Sequence, residues 1–215
     1  MRSALVVLSL MTAAGIPAGS VSAEEQAAPA PVAPASDETR LNELTAQYTL
    51  LYQVGAHEKA IPVAEQALVE AEAVFGPEDE RVAQALNDLG RLHELQGELA
   101  PAARAHERAL AIRDKAFNAN GPAVAQSLNN LARIYAAQGQ RAKAKPFYAR
   151  SLEITERHVP PESQVLLIVL EPYAALLRAD GELDAATQLE ARIQAIRNAQ
   201  AQLAAPAAEK TGDSH

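Results

Sequence analysis

The chain spells nearly the same phrase twice. Val82 to Gly90 reads VAQALNDLG, and Val124 to Ala132 reads VAQSLNNLA, 42 positions further on. Shifting the whole chain by that interval aligns four glycines (Gly55, Gly97, Gly139, Gly181), four alanines (Ala60, Ala102, Ala144, Ala186) and four leucines (Leu44, Leu86, Leu128, Leu170). Phe75 and Phe117 also match, with Val159 in the third place. A fixed period of this length marks stacked supersecondary units, each burying its apolar face only against its neighbours.

Each unit reads as two helices. From Val82 to Gln96, the residues Val82, Leu86, Leu89 and His93 share one face at 3.6-residue spacing, and Gln84, Asn87, Arg91 and Glu94 share the other. Gly97 should end that helix, because glycine takes a left-handed C-terminal position without steric cost. A second helix is expected from about Leu99 to Phe117, with Ala102 small enough for the two helices to approach closely, and Pro122 suits the first turn of the next one. Pro62 and Pro146 fall near the starts of second helices, whereas Pro172 falls inside VLLIVLEPYAALLR and should kink that helix or delay its start. No sustained period-two run supports β-structure.

Leu86, Gly90, Gly97, Ala102 and Ala109 sit at the spacing of the tetratricopeptide repeat, as do Leu128, Ala132, Tyr135, Gly139, Ala144 and Tyr148. The ordinary repeat is about 34 residues long. The longer period, with LNNLA and GPEDERVA, resembles the subtype found in kinesin light chains and many bacterial proteins. The resemblance spans about Leu41 to Arg197. The first unit departs from it, with Gln47 and Tyr48 in place of a Leu-small pair, and so does the second, with His93 and His106 where Tyr135 and Tyr148 stand one unit later. It implies an all-α, right-handed superhelical solenoid of about four stacked antiparallel helix pairs, whose first helices line a concave groove that holds a protein or an extended peptide.

Carried onto this chain, the resemblance makes Gln84, Asn87, Arg91 and Glu94, then Gln126, Asn129, Asn130 and Arg133, the candidate peptide-binding residues. Asn42, Thr45 and Tyr52 would flank them at one end, and Glu171 and Arg178 at the other. In kinesin-light-chain-like repeats the groove asparagines touch ligand, and Asn87 and Asn129 match those positions. A carboxamide both donates and accepts, so it can hold a peptide backbone without reading side chains, and Arg91 and Arg133 could meet a carboxylate. The competing view is that these side chains only keep a helix face soluble. As exposed residues they would tolerate truncation, so Asn129→Ala should leave stability nearly unchanged while Ala102→Leu lowers it.

The ends of the chain are not part of the repeat. Met1-Arg2, the apolar run ALVVLSLM and the small residues before Glu24 read as a secretory signal peptide (residues 1–23) cut after Ala23. That run is shorter than the roughly 20 apolar residues a membrane span needs. Residues 24–36 are expected to form a Pro/Ala-rich linker, 37–203 the solenoid domain and 204–215 a disordered tail. Periplasmic or secreted residence follows.

Removing residues 1–23 takes Arg2 with them and leaves 18 basic against 27 acidic side chains. That balance argues against nucleic acid, which binds through phosphate neutralisation by Lys and Arg. The absence of cysteine excludes disulfides and thiol chemistry. No phosphate loop, nucleophile elbow or paired-histidine helix occurs, so no catalytic residue and no cofactor is expected. His93 and His106 could face each other, but a metal site needs three or four ligands, and core packing is the better assignment. The expected function is a non-catalytic scaffold in which the groove binds a protein or peptide. The alternatives are a structural subunit self-associating through its ends and an enzyme hidden in the groove; the oligomeric state stays open.

Overall fold

The computed structural model describes residues 37–116 and 120–204. The expected signal peptide, linker and tail, in 1–36 and 205–215, lie outside them, as does Phe117. Among the described residues there are eight α-helices and no strand. They are α1 (Asp37–Gln53), α2 (His57–Phe75), α3 (Glu80–Leu95), α4 (Leu99–Ala116), α5 (Pro122–Ala137), α6 (Arg141–His158), α7 (Leu167–Ala179) and α8 (Leu183–Ala204). A short 3-10 turn, Gln164–Leu166, precedes α7.

The repeat columns account for this order. Gly55, Gly97, Gly139 and Gly181 have φ between +75° and +81°, and each closes the first helix of a pair. Ala60, Ala102, Ala144 and Ala186 have no exposed surface, so a methyl is all that separates the paired helices there. A leucine at such a position would overpack the contact by roughly 1–3 kcal/mol. The start of α3 is fixed by Asp79, whose carboxylate accepts from the Arg81 amide at 2.9 Å, while the Arg81 guanidinium lies 3.2 Å above the Phe75 ring.

Pro62, Pro146 and Pro172 each stand six residues into their helices, and α7 neither starts late nor stops at Pro172. Each proline frees the carbonyl four residues earlier, at Glu58, Ala142 and Ile168. All three of those residues are exposed, so water can take the bond.

Helices α2, α4, α6 and α8 are joined on their outer side by a ladder of ion pairs. Arg108 meets Glu72 at 2.5 Å, Arg150 meets Asp114 at 2.9 Å and Arg192 meets Glu156 at 2.6 Å. Partners are 36 positions apart, and each pair lies one period after the last. One period before Arg108 stands Gln66, and one period after Glu156 stands Asn198, so the charges end where the helix stack ends.

A second device lies inside. Arg113, 1% exposed, donates from Nε to Glu80 at 3.0 Å, from Nη1 to the Ala123 carbonyl at 3.2 Å and Ser127 Oγ at 2.8 Å, and from Nη2 to Gln84 at 3.1 Å. One side chain on α4 thereby ties α3 to α5. Breaking a buried pair strands the remaining charge and costs about 3–5 kcal/mol, whereas an exposed pair contributes about 0–1 kcal/mol. Glu80 keeps some solvent contact, which places Arg113→Ala near the lower bound. Urea denaturation should therefore show a loss of about 3 kcal/mol for Arg113→Ala and under about 1 kcal/mol for Arg150→Ala; equal losses would contradict this division.

Candidate binding face between the repeat units

The first helices of successive units meet through side chains that repeat with the chain. Tyr48 on α1 donates to Asp88 on α3 at 3.0 Å, and Arg91 on α3 donates to the Tyr52 hydroxyl at 2.7 Å. One unit on, Arg133 on α5 stands 3.6 Å from Glu94 on α3. Arg91–Tyr52 and Arg133–Glu94 are the same contact one period apart. In the third step Ala136 and Ala175 occupy these columns and carry no charge.

Two clefts open along this line. The first, about 260 Å³, is lined by Tyr48, Thr49, Tyr52, Gln53, Asp88, Arg91 and Leu92, between α1 and α3. The second, about 360 Å³, is lined by Glu94, Leu99, Arg133, Ile134, Ala137 and Tyr148. Arg91, Leu92 and Tyr52 of the first correspond by period to Arg133, Ile134 and Glu94 of the second.

The expected binding residues divide. Gln84, Arg91, Gln126 and Arg133 are exposed and Glu94 is partly so, as a ligand-facing surface requires. The asparagines are not on that surface. Asn87, Asn129 and Asn130 are 1%, 5% and 7% exposed, and Asn130 Nδ2 donates to Asn87 Oδ1 at 2.9 Å inside the α3–α5 contact. The expectation that Asn129→Ala would be silent rested on exposure and falls with it. The reason is geometric: α5 is covered on both sides, so its stretch from Ser127 to Ala132 is buried without a break.

The asparagine contact stops after one step. Its continuation would need a donor at the position one period after Asn130, reaching Asn129 Oδ1. That position holds Pro172, and Asn129 Oδ1 is buried without a partner, as is Asn87 Nδ2. Each such group forgoes roughly 1–3 kcal/mol.

Of the flanking residues, Tyr52 lines the first cleft. Glu171 is paired to Arg197 at 2.8 Å, and Arg178 grips Glu190 at 2.8 and 2.5 Å. Asn42 is exposed on α1 and Thr45 is half-buried there.

His106 is wholly buried, and neither ring nitrogen has a partner. It fills the space that Gly90 leaves: a Cβ at Gly90 would lie 2.6 Å from His106 Nε2. His93 is engaged elsewhere, at 2.6 Å from Glu98. Among the described residues no group of three or more His, Asp and Glu side chains gathers as a metal site would require.

Burial pushes the His106 imidazole down to about 4, assisted by the charges of Arg133, Arg113 and Arg91. Burial also raises the Glu94 carboxyl above its ordinary range, against the opposing pull of Arg133 and Arg91. In both cases the walls displace water from a charged group, at His106 on α4 against Gly90 and at Glu94 near the end of α3.

These features define a class first: a solenoid of helix pairs whose first-helix face carries clefts at the unit boundaries. The chain matches the model of the tetratricopeptide repeat over residues 49–115 and 102–157, and it belongs to that family. The fold is similar to that of BtubC (BKLC) from P. vanneervenii, at 20% identity and a TM-score of 0.71, covering 83% of this chain and 71% of that one. It is similar to a Podosopora anserina structure described as a kinesin light chain with nearly identical TPR-like repeats, at 22% identity and 0.65, covering 77% and 79%. MamA follows at 19% and 0.56, covering 79% and 82%. No curated protein matches the chain.

The His106 shift has a definite sign. The unfolded imidazole takes its proton near pH 6.5 and the folded one only near 4, so between those values the unfolded state binds more protons. The histidine makes no difference above pH 6.5 and lowers stability as pH falls through that window, by roughly 3 kcal/mol at its foot. His106→Met should remove this component, measured as the difference between the two stability–pH curves. Parallel curves from pH 7 to 4 would show that His106 titrates as an ordinary surface histidine.

Proposed function

We propose that the chain is an exported, non-catalytic scaffold that binds an extended segment of another protein across the first-helix face of its repeat. The observation that carries this reading is the pair of period-related clefts, which present Tyr52, Arg91, Glu94 and Arg133 at successive unit boundaries. Successive clefts of one kind suit a ligand that is itself extended and presents side chains at intervals. Membership of the tetratricopeptide repeat family supports an interaction role. Among the described residues no helix is long and apolar enough to cross a membrane.

Export rests on the N-terminal pattern read from the sequence, and a periplasmic or secreted location is part of the proposal. So is the absence of a nucleic-acid partner, on the ground of net charge −8. The groove is now assigned to Gln84, Arg91, Glu94, Gln126 and Arg133 with the two clefts. Asn87 and Asn130 act by holding α3 against α5, and Asn129 is buried on α5.

One sample tests both parts. The full chain, expressed in a bacterium and recovered by osmotic shock, should begin at Glu24 by mass spectrometry. Panned against a displayed library of random 12-residue peptides, it should enrich ligands. These should lose at least tenfold in affinity to an Arg91→Ala/Ala137→Trp variant, in which one cleft loses its guanidinium and the other is filled, without loss of thermal stability. An unprocessed chain in the cytosolic fraction would refute export. A library that yields nothing, with light scattering that rises with concentration, would favour the self-associating subunit.

A further inference from the structure

The two clefts share three period-related positions, Tyr52/Glu94, Arg91/Arg133 and Leu92/Ile134, and the first of these sets their polar chemistry apart. In the first cleft the polar groups satisfy one another: Tyr48 and Gln84 both donate to Asp88, and Arg91 donates to Tyr52. In the second, Glu94 stands where Tyr52 stands in the first. Its side chain is 14% exposed, and among the described residues no hydrogen bond reaches it. Arg133, the cation paired with it, is 3.6 Å away and half-exposed, beyond the 2.7–2.9 Å of a charge-assisted hydrogen bond. Leu99, Ile134, Ala137 and Tyr148 supply the rest of the lining.

A carboxylate set in apolar walls, with its paired guanidinium at 3.6 Å and no hydrogen bond among the described residues, can take a second cation that reaches it directly. The cation must arrive on an apolar stem, because the walls offer nothing polar but Arg133 at the mouth and the Tyr148 hydroxyl. A lysine has that form: a four-carbon stem that packs along apolar surface and a compact ammonium with three donors. The planar fork of an arginine asks for two oxygens in line, and here Arg133 already contests the carboxylate. The net charge of −8 steers basic segments toward the chain and keeps acidic ones away.

We propose that the second cleft is a lysine-reading subsite: the partner segment is basic, and one of its lysines enters between α3 and α5 to place its ammonium on Glu94 while Arg133 swings outward. This deepens the groove reading above and rests on it. Arg133 is half-exposed and 3.6 Å from Glu94, so turning its guanidinium into solvent gives up no direct hydrogen bond, whereas the ammonium gains charge-assisted ones.

The probes are two blocked tripeptides, Ac-Ala-Lys-Ala-NH2 and Ac-Ala-Glu-Ala-NH2, titrated at equal ionic strength into the isotope-labelled mature chain. Binding is followed at the backbone amides of Ile134 and Ala137. The lysine peptide should bind at least tenfold more tightly than the glutamate peptide. Glu94→Gln, with its thermal midpoint unchanged, should abolish that preference. A preference for the glutamate peptide would overturn the proposal and assign the site to Arg91 and Arg133. A lysine preference that survives in Glu94→Gln would overturn it as well. Should neither tripeptide shift these amides, the subsite fails; the panned 12-residue ligands then decide whether the groove reading fails with it or stands without a lysine pocket.

Discussion

Everything in this molecule depends on how closely two helices of a pair can approach. At Ala60, Ala102, Ala144 and Ala186 the contact is sealed completely by a methyl group. Because the same small residue returns every 42 positions, each pair adopts the same geometry and each unit sits on the last in the same way. The consequence is arithmetic: side chains 36 positions apart meet on the second-helix side, and side chains 39 apart meet on the first-helix side. The outer ladder of Arg108, Arg150 and Arg192 is one product of that regularity. The contacts Arg91–Tyr52 and Arg133–Glu94 are the other.

Regularity also explains what the sequence made legible and what it hid. The helix pairs, their terminating glycines and the sealed alanines could be read from the columns alone, since each depends on a residue type recurring at a fixed place. The outer ladder was equally present as two columns of charge, Arg108/Arg150/Arg192 and Glu72/Asp114/Glu156. It would have been found by asking which charged columns stand about one helix pair apart. Arg113 was not legible in that way, because its column holds Ala71 and Thr155 and nothing in the period marks it. Its burial follows from Glu80, Gln84, Ala123 and Ser127 converging on it from two other helices, which is tertiary information.

The asparagines show the opposite error. A polar side chain on the polar face of an amphipathic helix is expected in water, and Asn87, Asn129 and Asn130 sit there by helical spacing. In a solenoid the neighbouring first helix covers part of that face, and an amide can be buried if another amide meets it. Asn130 and Asn87 do this, and Pro172 ends the series by removing the next donor. Asn87 Nδ2 is left without a partner at that contact, and Asn129 Oδ1 is left without one where Pro172 withholds the donor.

The central claim is that the first-helix face works and the second-helix face only holds the stack together. It is tested most directly by carboxyl footprinting of the chain with and without its bound ligand, read residue by residue by mass spectrometry. The account predicts that labelling falls at Glu94 and Asp88 when ligand is present and stays constant at Glu72, Asp114 and Glu156. Protection of Glu72, Asp114 and Glu156 with Glu94 unchanged would move the binding surface to the outer ladder and contradict the account.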